Sequence, residues 1–249
     1  MRALRTFFFS KEIERRLEVS SVRRNDPTPE LNSVNGEIMG LDVTLMPLNK
    51  ILGSPKRSSE HAAFLRKIGL TMPVGNDADL GLTEQVGPYA IFHHLWRYAA
   101  HLEMNNKPPE EPGTHPLDDP LYQQAMQKSY TRFDHLLRHS DDYGYYYPID
   151  FERPEEIIAE AEGGGFFKKL FKDSGPKPTP VSFGSAVRLQ QELLTINEFL
   201  GVPVRDEAPS QTYEDGIHGD EWGDEKWTWV VLYFMSRKAI EHGQIVVFE

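Results

Sequence analysis

The stretch "DDYGYYYPIDF", Asp141–Phe151, sets four tyrosines within five residues. Read as a strand, it sends Tyr143, Tyr145, Tyr147, Ile149 and Phe151 to one side and Gly144, Tyr146, Pro148 and Asp150 to the other. That alternation places three tyrosines against a core and leaves Tyr146 and Asp150 outward. Pro148 has no N–H to give a ladder, so the strand is expected at a sheet edge or to end there.

Two further segments fit a sheet. Gly40–Pro47 alternates, with Leu41, Val43 and Leu45 one way and Asp42, Thr44 and Met46 the other. The closing "QIVVFE" is continuously apolar and suits the middle of a sheet. The other periodic segments are helical. "SSEHAAFLRKIGL" has a serine cap and Gly69 near its end. Pro88 opens a helix with an apolar stripe at Ile91, Leu95, Tyr98 and Leu102. Asp118-Asp119-Pro120 starts a long helix running to about His139. Ser185 caps a helix that Gly201 stops, and "KWTWVVLYFMSRKAIEHG" is apolar nearly all round, as a central buried helix is. "TMPVGNDADLGLTEQVG" and "RDEAPSQTYEDGIHGDEWGDE" read as loops, and "PEEIIAEAE" as a short acidic helical piece. The sum is an α+β, helix-dominated single domain with a small, about three-stranded sheet packed on helices along one face.

The domain is expected to span 39–249. Residues 1–38 carry seven basic and six acidic side chains, include the proline-interrupted "SSVRRNDPTPELNSVNG", and read as a linker-like extension or a start placed too early, with Met39 the natural one.

Composition narrows the function. The formal charge is −11, the wrong sign for a protein that grips phosphates, so no nucleic acid partner is expected. There is no cysteine, which removes disulfides, thiolate nucleophiles and cysteine-ligated metals. With no cysteine a cytoplasmic protein is expected, and no apolar run approaches the ~20 residues that span a bilayer. No GxSxG elbow, P-loop, GxGxxG or kinase motif set is present, and no cofactor is called for.

Four places could carry chemistry or recognition. His94, Arg97 and His101 share one helix face, but two turns separate the histidines and HExxH is missing. Asp42 and Asp150 could flank one polar pocket with Tyr146, where two close carboxylates would raise one pKa and supply an acid. The loop "EDGIHGDEWGDE" gathers Asp215, His218, Asp220, Glu221, Asp224 and Glu225, yet its order is not that of an EF-hand, so no metal is expected. "GGGFFKKLFK" fits a loop clipped onto the core by Phe166, Phe167, Leu170 and Phe171.

"MGLDVTLMPL" at Met39, "DYGYYYPIDF" and "FGSAVRLQQELLTINEFLG" together resemble a group of short soluble bacterial proteins that open with an MGLDV-type strand. The likeness covers a minority of the chain, and Ala186 departs from it where the group has a polar residue. No activity attaches to that group, so the resemblance implies a start at Met39 and nothing about function.

The reading that results is a soluble bacterial binding protein acting by sequestration, in the manner of an immunity protein or antitoxin. Its partner would be a basic protein. Tyr213 and Trp222 would anchor the contact, and Asp215, His218, Asp220 and Glu221 would line it. The second reading is a small-molecule hydrolase or ligand-binding protein built on Asp42, Tyr146 and Asp150 with His94 or Arg97. A shared cavity favours the second; a flat acidic surface favours the first.

Overall fold

The computed structural model describes residues 41–53, 55–70, 78–113, 115–139, 144–158 and 180–248. The 1–38 segment, Tyr143 and the GGGFFKKLFK motif lie outside the described residues. The strands are β1 (Leu41–Met46), β2 (Thr83–Gly87), β3 (Gly144–Tyr147), β4 (Glu155–Ile157), β5 (Val181–Ser185) and β6 (Ile245–Phe248). The helices are α1 (Leu48–Ile51), α2 (Pro55–Lys67), α3 (Tyr89–Asn105), α4 (Pro120–Gln127), α5 (Asp134–Leu137), α6 (Ala186–Leu200), α7 (Gln211–His218) and α8 (Gly223–His242).

The expectation of a three-stranded sheet is corrected. The sheet has six strands in the order β2-β1-β6-β3-β5-β4, mixed in direction, with β3 and β5 parallel and the other pairs antiparallel. Three strands lacked a period that could reveal them. β2 and β4 are short edge strands with polar sequences, TEQVG and EEI. β5, VSFGS, is buried on both faces and so needs no alternation.

Burial on both faces also revises the opening stretch. Helices α3, α6 and α8 cover one face, against Leu41, Val43, Leu45, Tyr146, Val246 and Phe248. Helix α2 covers part of the other, where Phe64 and His61 meet Tyr145, Tyr147 and Phe183. Tyr146 is therefore not outward but fully buried on the main helical side. Its ring stacks on His139 at 3.8 Å, its hydroxyl donates to the His135 carbonyl at 2.8 Å, and its cross-strand neighbour is Gly184. The strand is interior rather than at an edge, and it ends at Tyr147, before Pro148.

The long helix from Asp118 is also broken. α4 stops at Gln127 and α5 begins at Asp134. Between them, the Asp134 carboxylate accepts from Thr131 N–H at 2.9 Å and Thr131 Oγ1 at 2.6 Å, a local turn that competes with helix. The buried Glu192 carboxylate on α6 then accepts the backbone N–H groups of His135 and Leu136 at 2.9 and 2.8 Å, which starts the chain afresh.

Candidate protein-binding face

Between Asp206 and Glu225 the chain holds eight carboxylates and no lysine or arginine. The stretch is not all loop. The Ser210 hydroxyl accepts from Tyr213 N–H at 3.3 Å and starts α7, whose Ile217 is buried while Asp215 stands outward. A short turn leads to α8. There Trp222 meets Tyr98 edge to face at 5.3 Å, and Trp227 Nε1 donates to the Gln85 carbonyl at 3.2 Å. These contacts tie the acidic segment to α3 and to the edge strand β2.

The result is a corner of concentrated negative charge. Partial burial raises the Glu84 pKa on β2, and the nearby Glu214 charge raises it further. Glu225, 1% exposed in the first turn of α8, is pushed up to about 7, chiefly by burial and then by Asp224. Among the described residues Lys226 pairs with Asp220 at 2.8 Å and Arg237 with Asp206, while His94, whose Nδ1 lies 3.2 Å from Asp224, is held below its ordinary pKa chiefly by burial. Glu207 and Glu221 are exposed and form no ion pair among the described residues.

Two depressions lie beside Tyr213. One, of about 90 Å³, has Arg205, Glu207, Trp229 and Tyr233 in its lining. In it the Arg205 guanidinium lies 4.4 Å from the Tyr213 ring centroid. The other, of about 260 Å³, is lined by Gly201, Val202, Pro203, Tyr213, Gly216, Ile217, Asp220 and Lys226.

Of the partner-binding residues expected from sequence, Tyr213, Asp215, Asp220, Glu221 and Trp222 fall on this corner. The His218 side chain lies outside the described residues. Trp222 is half-buried, with its ring against Tyr98.

The pocket expected from Asp42, Tyr146 and Asp150 does not form. Asp42 lies on the opposite face of the sheet from Tyr146, and β6 runs between their strands. Asp150 lies past the end of β3, exposed, where both its oxygens accept from the Arg188 guanidinium of α6. The sheet register separates what the alternation pattern alone left free to meet.

The histidine face of α3 divides likewise. His94 turns to Asp224. Arg97 Nε donates to Asp119 Oδ2 at 2.7 Å, His101 Nε2 lies 2.7 Å from the same oxygen, and Asp119 Oδ1 accepts from Leu121 N–H at 2.9 Å at the start of α4. Burial works to raise the Asp119 carboxyl, but hydrogen bonds from His101 and Arg97 outweigh it and hold it at about 2. This is a clamp between α3 and α4. Among the described residues no group of three His, Cys, Asp or Glu side chains is placed to hold a metal.

One buried polar network went unread in the sequence. Ser185 N–H donates to His135 Nδ1 at 3.0 Å beside the Glu192 carboxylate described above. Burial holds His135 down at about 4 and pushes Glu192 well above its ordinary range. A signal existed: Glu192 falls on the apolar stripe of α6, between Leu189 and Ile196.

Over residues 39–248 the chain matches a family described as "Putative DNA-mimic protein". It belongs to that family. No curated protein and no solved structure matches the chain. A DNA mimic works by binding proteins, so the family gives a protein-binding role. It also corrects the expected partner. Where the sequence alone suggests a basic protein of no particular kind and sets nucleic acid aside, the family points to a basic partner of one class, the proteins that bind nucleic acid. Among the described residues no helix is long and apolar enough to cross a membrane.

Proposed function

We propose that this protein sequesters a DNA-binding protein by presenting carboxylates where DNA presents phosphates. The observation that carries the reading is the acidic corner, with seven carboxylates from Asp206 to Asp224 that reach solvent, joined by Glu84 from the edge strand. Duplex DNA displays one charge per ~1.7 Å of axis, and its binding proteins meet it with lysine and arginine. A surface of the same sign on a rigid helical frame competes for those side chains and speeds encounter through its field. Rigidity comes from Ser210, Trp222 and Trp227, which fix α7 and the start of α8. The family assignment supports the same reading. Action by occupancy needs no chemical step, in the manner of an immunity protein or antitoxin.

The test is displacement. Purified DNA-binding proteins, each holding a fluorescent duplex, are titrated with this chain while anisotropy is followed. Release of duplex from at least one of them, weakening as NaCl rises, is the expected result. The triple variant Glu207→Gln, Asp215→Asn, Glu221→Gln should slow association about tenfold. Duplex that stays bound throughout, or release indifferent to both salt and the triple variant, refutes the reading.

A further inference from the structure

We infer that the depression between α7 and the Gly201–Pro203 turn is a seat for an arginine side chain of the partner, selecting arginine over lysine; this rests on the proposed function and deepens it. The walls are of two kinds. Val202, Pro203 and Ile217 offer apolar surface for an aliphatic stem, while Tyr213 offers a ring and Asp220 a carboxylate for the head. Arg205 already shows that Tyr213 takes a guanidinium, from the neighbouring depression. Asp220 is now engaged by Lys226 through a single nitrogen at 2.8 Å. A guanidinium can offer that carboxylate two parallel N–H groups where an ammonium offers one point of contact.

Glycine supplies an independent observation. Gly216 lies within α7, where glycine costs about 1 kcal/mol relative to alanine. A Cβ built on it meets nothing within 4 Å, and the same holds at Gly201. Nothing in the packing of the described residues therefore requires glycine at 216. What its bareness does is keep the depression open on the α7 side.

Nona-arginine and nona-lysine peptides are the probes, titrated into the full chain by anisotropy at low and moderate salt. Nona-arginine is expected to bind about fivefold tighter than nona-lysine, the range of an exposed guanidinium–aromatic contact. Gly216→Leu sets its Cβ in open space, extends its side chain toward the depression and adds helix propensity; it should abolish the preference while leaving the melting temperature equal or higher. Lys226→Gln frees Asp220 and should tighten nona-arginine severalfold more than nona-lysine. Equal binding of the two peptides, or a preference that survives Gly216→Leu, overturns the seat. If those peptides still bind with salt dependence and duplex is still displaced, the DNA-mimic reading stands without it. A chain that displaces no duplex but keeps a Gly216-dependent arginine preference retains the seat and loses that reading.

Discussion

A methyl group at position 184 would overlap the ring of Tyr146 and lie 2.9 Å from His139 Cδ2. Gly184 is the cross-strand partner of Tyr146, and its missing side chain is the space the stacked tyrosine and histidine occupy. Gly184→Ala is therefore expected to destabilise the fold by about 2 kcal/mol, as overpacked cores do, measured as a fall in the urea midpoint. The same residues show where strand alternation misleads. Period two correctly separated Tyr146 from Tyr145 and Tyr147, but it cannot say that both sides are covered. The glycine opposite a tyrosine was the clue, and it becomes readable only once the β3–β5 register is known.

At the scale of elements, one aspartate joins two helices. Asp119 caps α4 with one oxygen and holds Arg97 and His101 of α3 with the other. Asp119→Ala would strand a buried guanidinium and remove the cap together. The expected loss is about 3 kcal/mol or more, read from chemical denaturation. An accompanying His101→Ala should add little, since its partner is already gone. The sequence showed the cap, in Asp119-Pro120, and it showed Arg97 and His101 sharing a face. It did not show that the cap and the face meet, because a proline-rich connector of unreadable path lies between them. Breaks in helices follow a similar logic. The start of α5 is set by the local Thr131–Asp134 turn together with Glu192, a residue more than fifty positions away in the chain, so local pattern reports only part of it.

For the molecule as a whole, buried titratable groups pull stability in opposite directions with pH. Glu225 has a folded pKa of about 7 against an ordinary 4.5, so the folded state holds its proton more tightly than the unfolded chain. Its contribution is fully present below pH 4.5 and is lost as pH rises through 7. His61 and His135 are both held down at about 4 by burial, so their contribution is present above pH 6.5 and is lost as pH falls through 4. Replacing Glu225 with Gln removes the first effect alone. Relative to the native chain, the variant should gain about 3 kcal/mol in stability between pH 4.5 and pH 8, measured by denaturation at each pH. A difference that stays constant with pH would mean Glu225 is not held in the protonated form by burial. The charge that matters for partners lies outside this set, on side chains such as Glu207, Asp215 and Glu221 that water already solvates.

By itself the sequence determined the local order: the amphipathic faces of α3 and α6, the buried character of α8, the apolar β6, the excess of acid and its concentration from Asp206 to Glu225. Each of these is a property of residues near one another along the chain, and periodicity or composition reports it directly. Tertiary structure alone decided that the sheet has six strands, that Asp42 and Tyr146 face apart, and that Glu84 stands beside Glu214. It also decided that Tyr213 overlooks an open groove. Those facts depend on strand register and on which distant elements pack together, and neither register nor packing leaves a mark on short-range spacing.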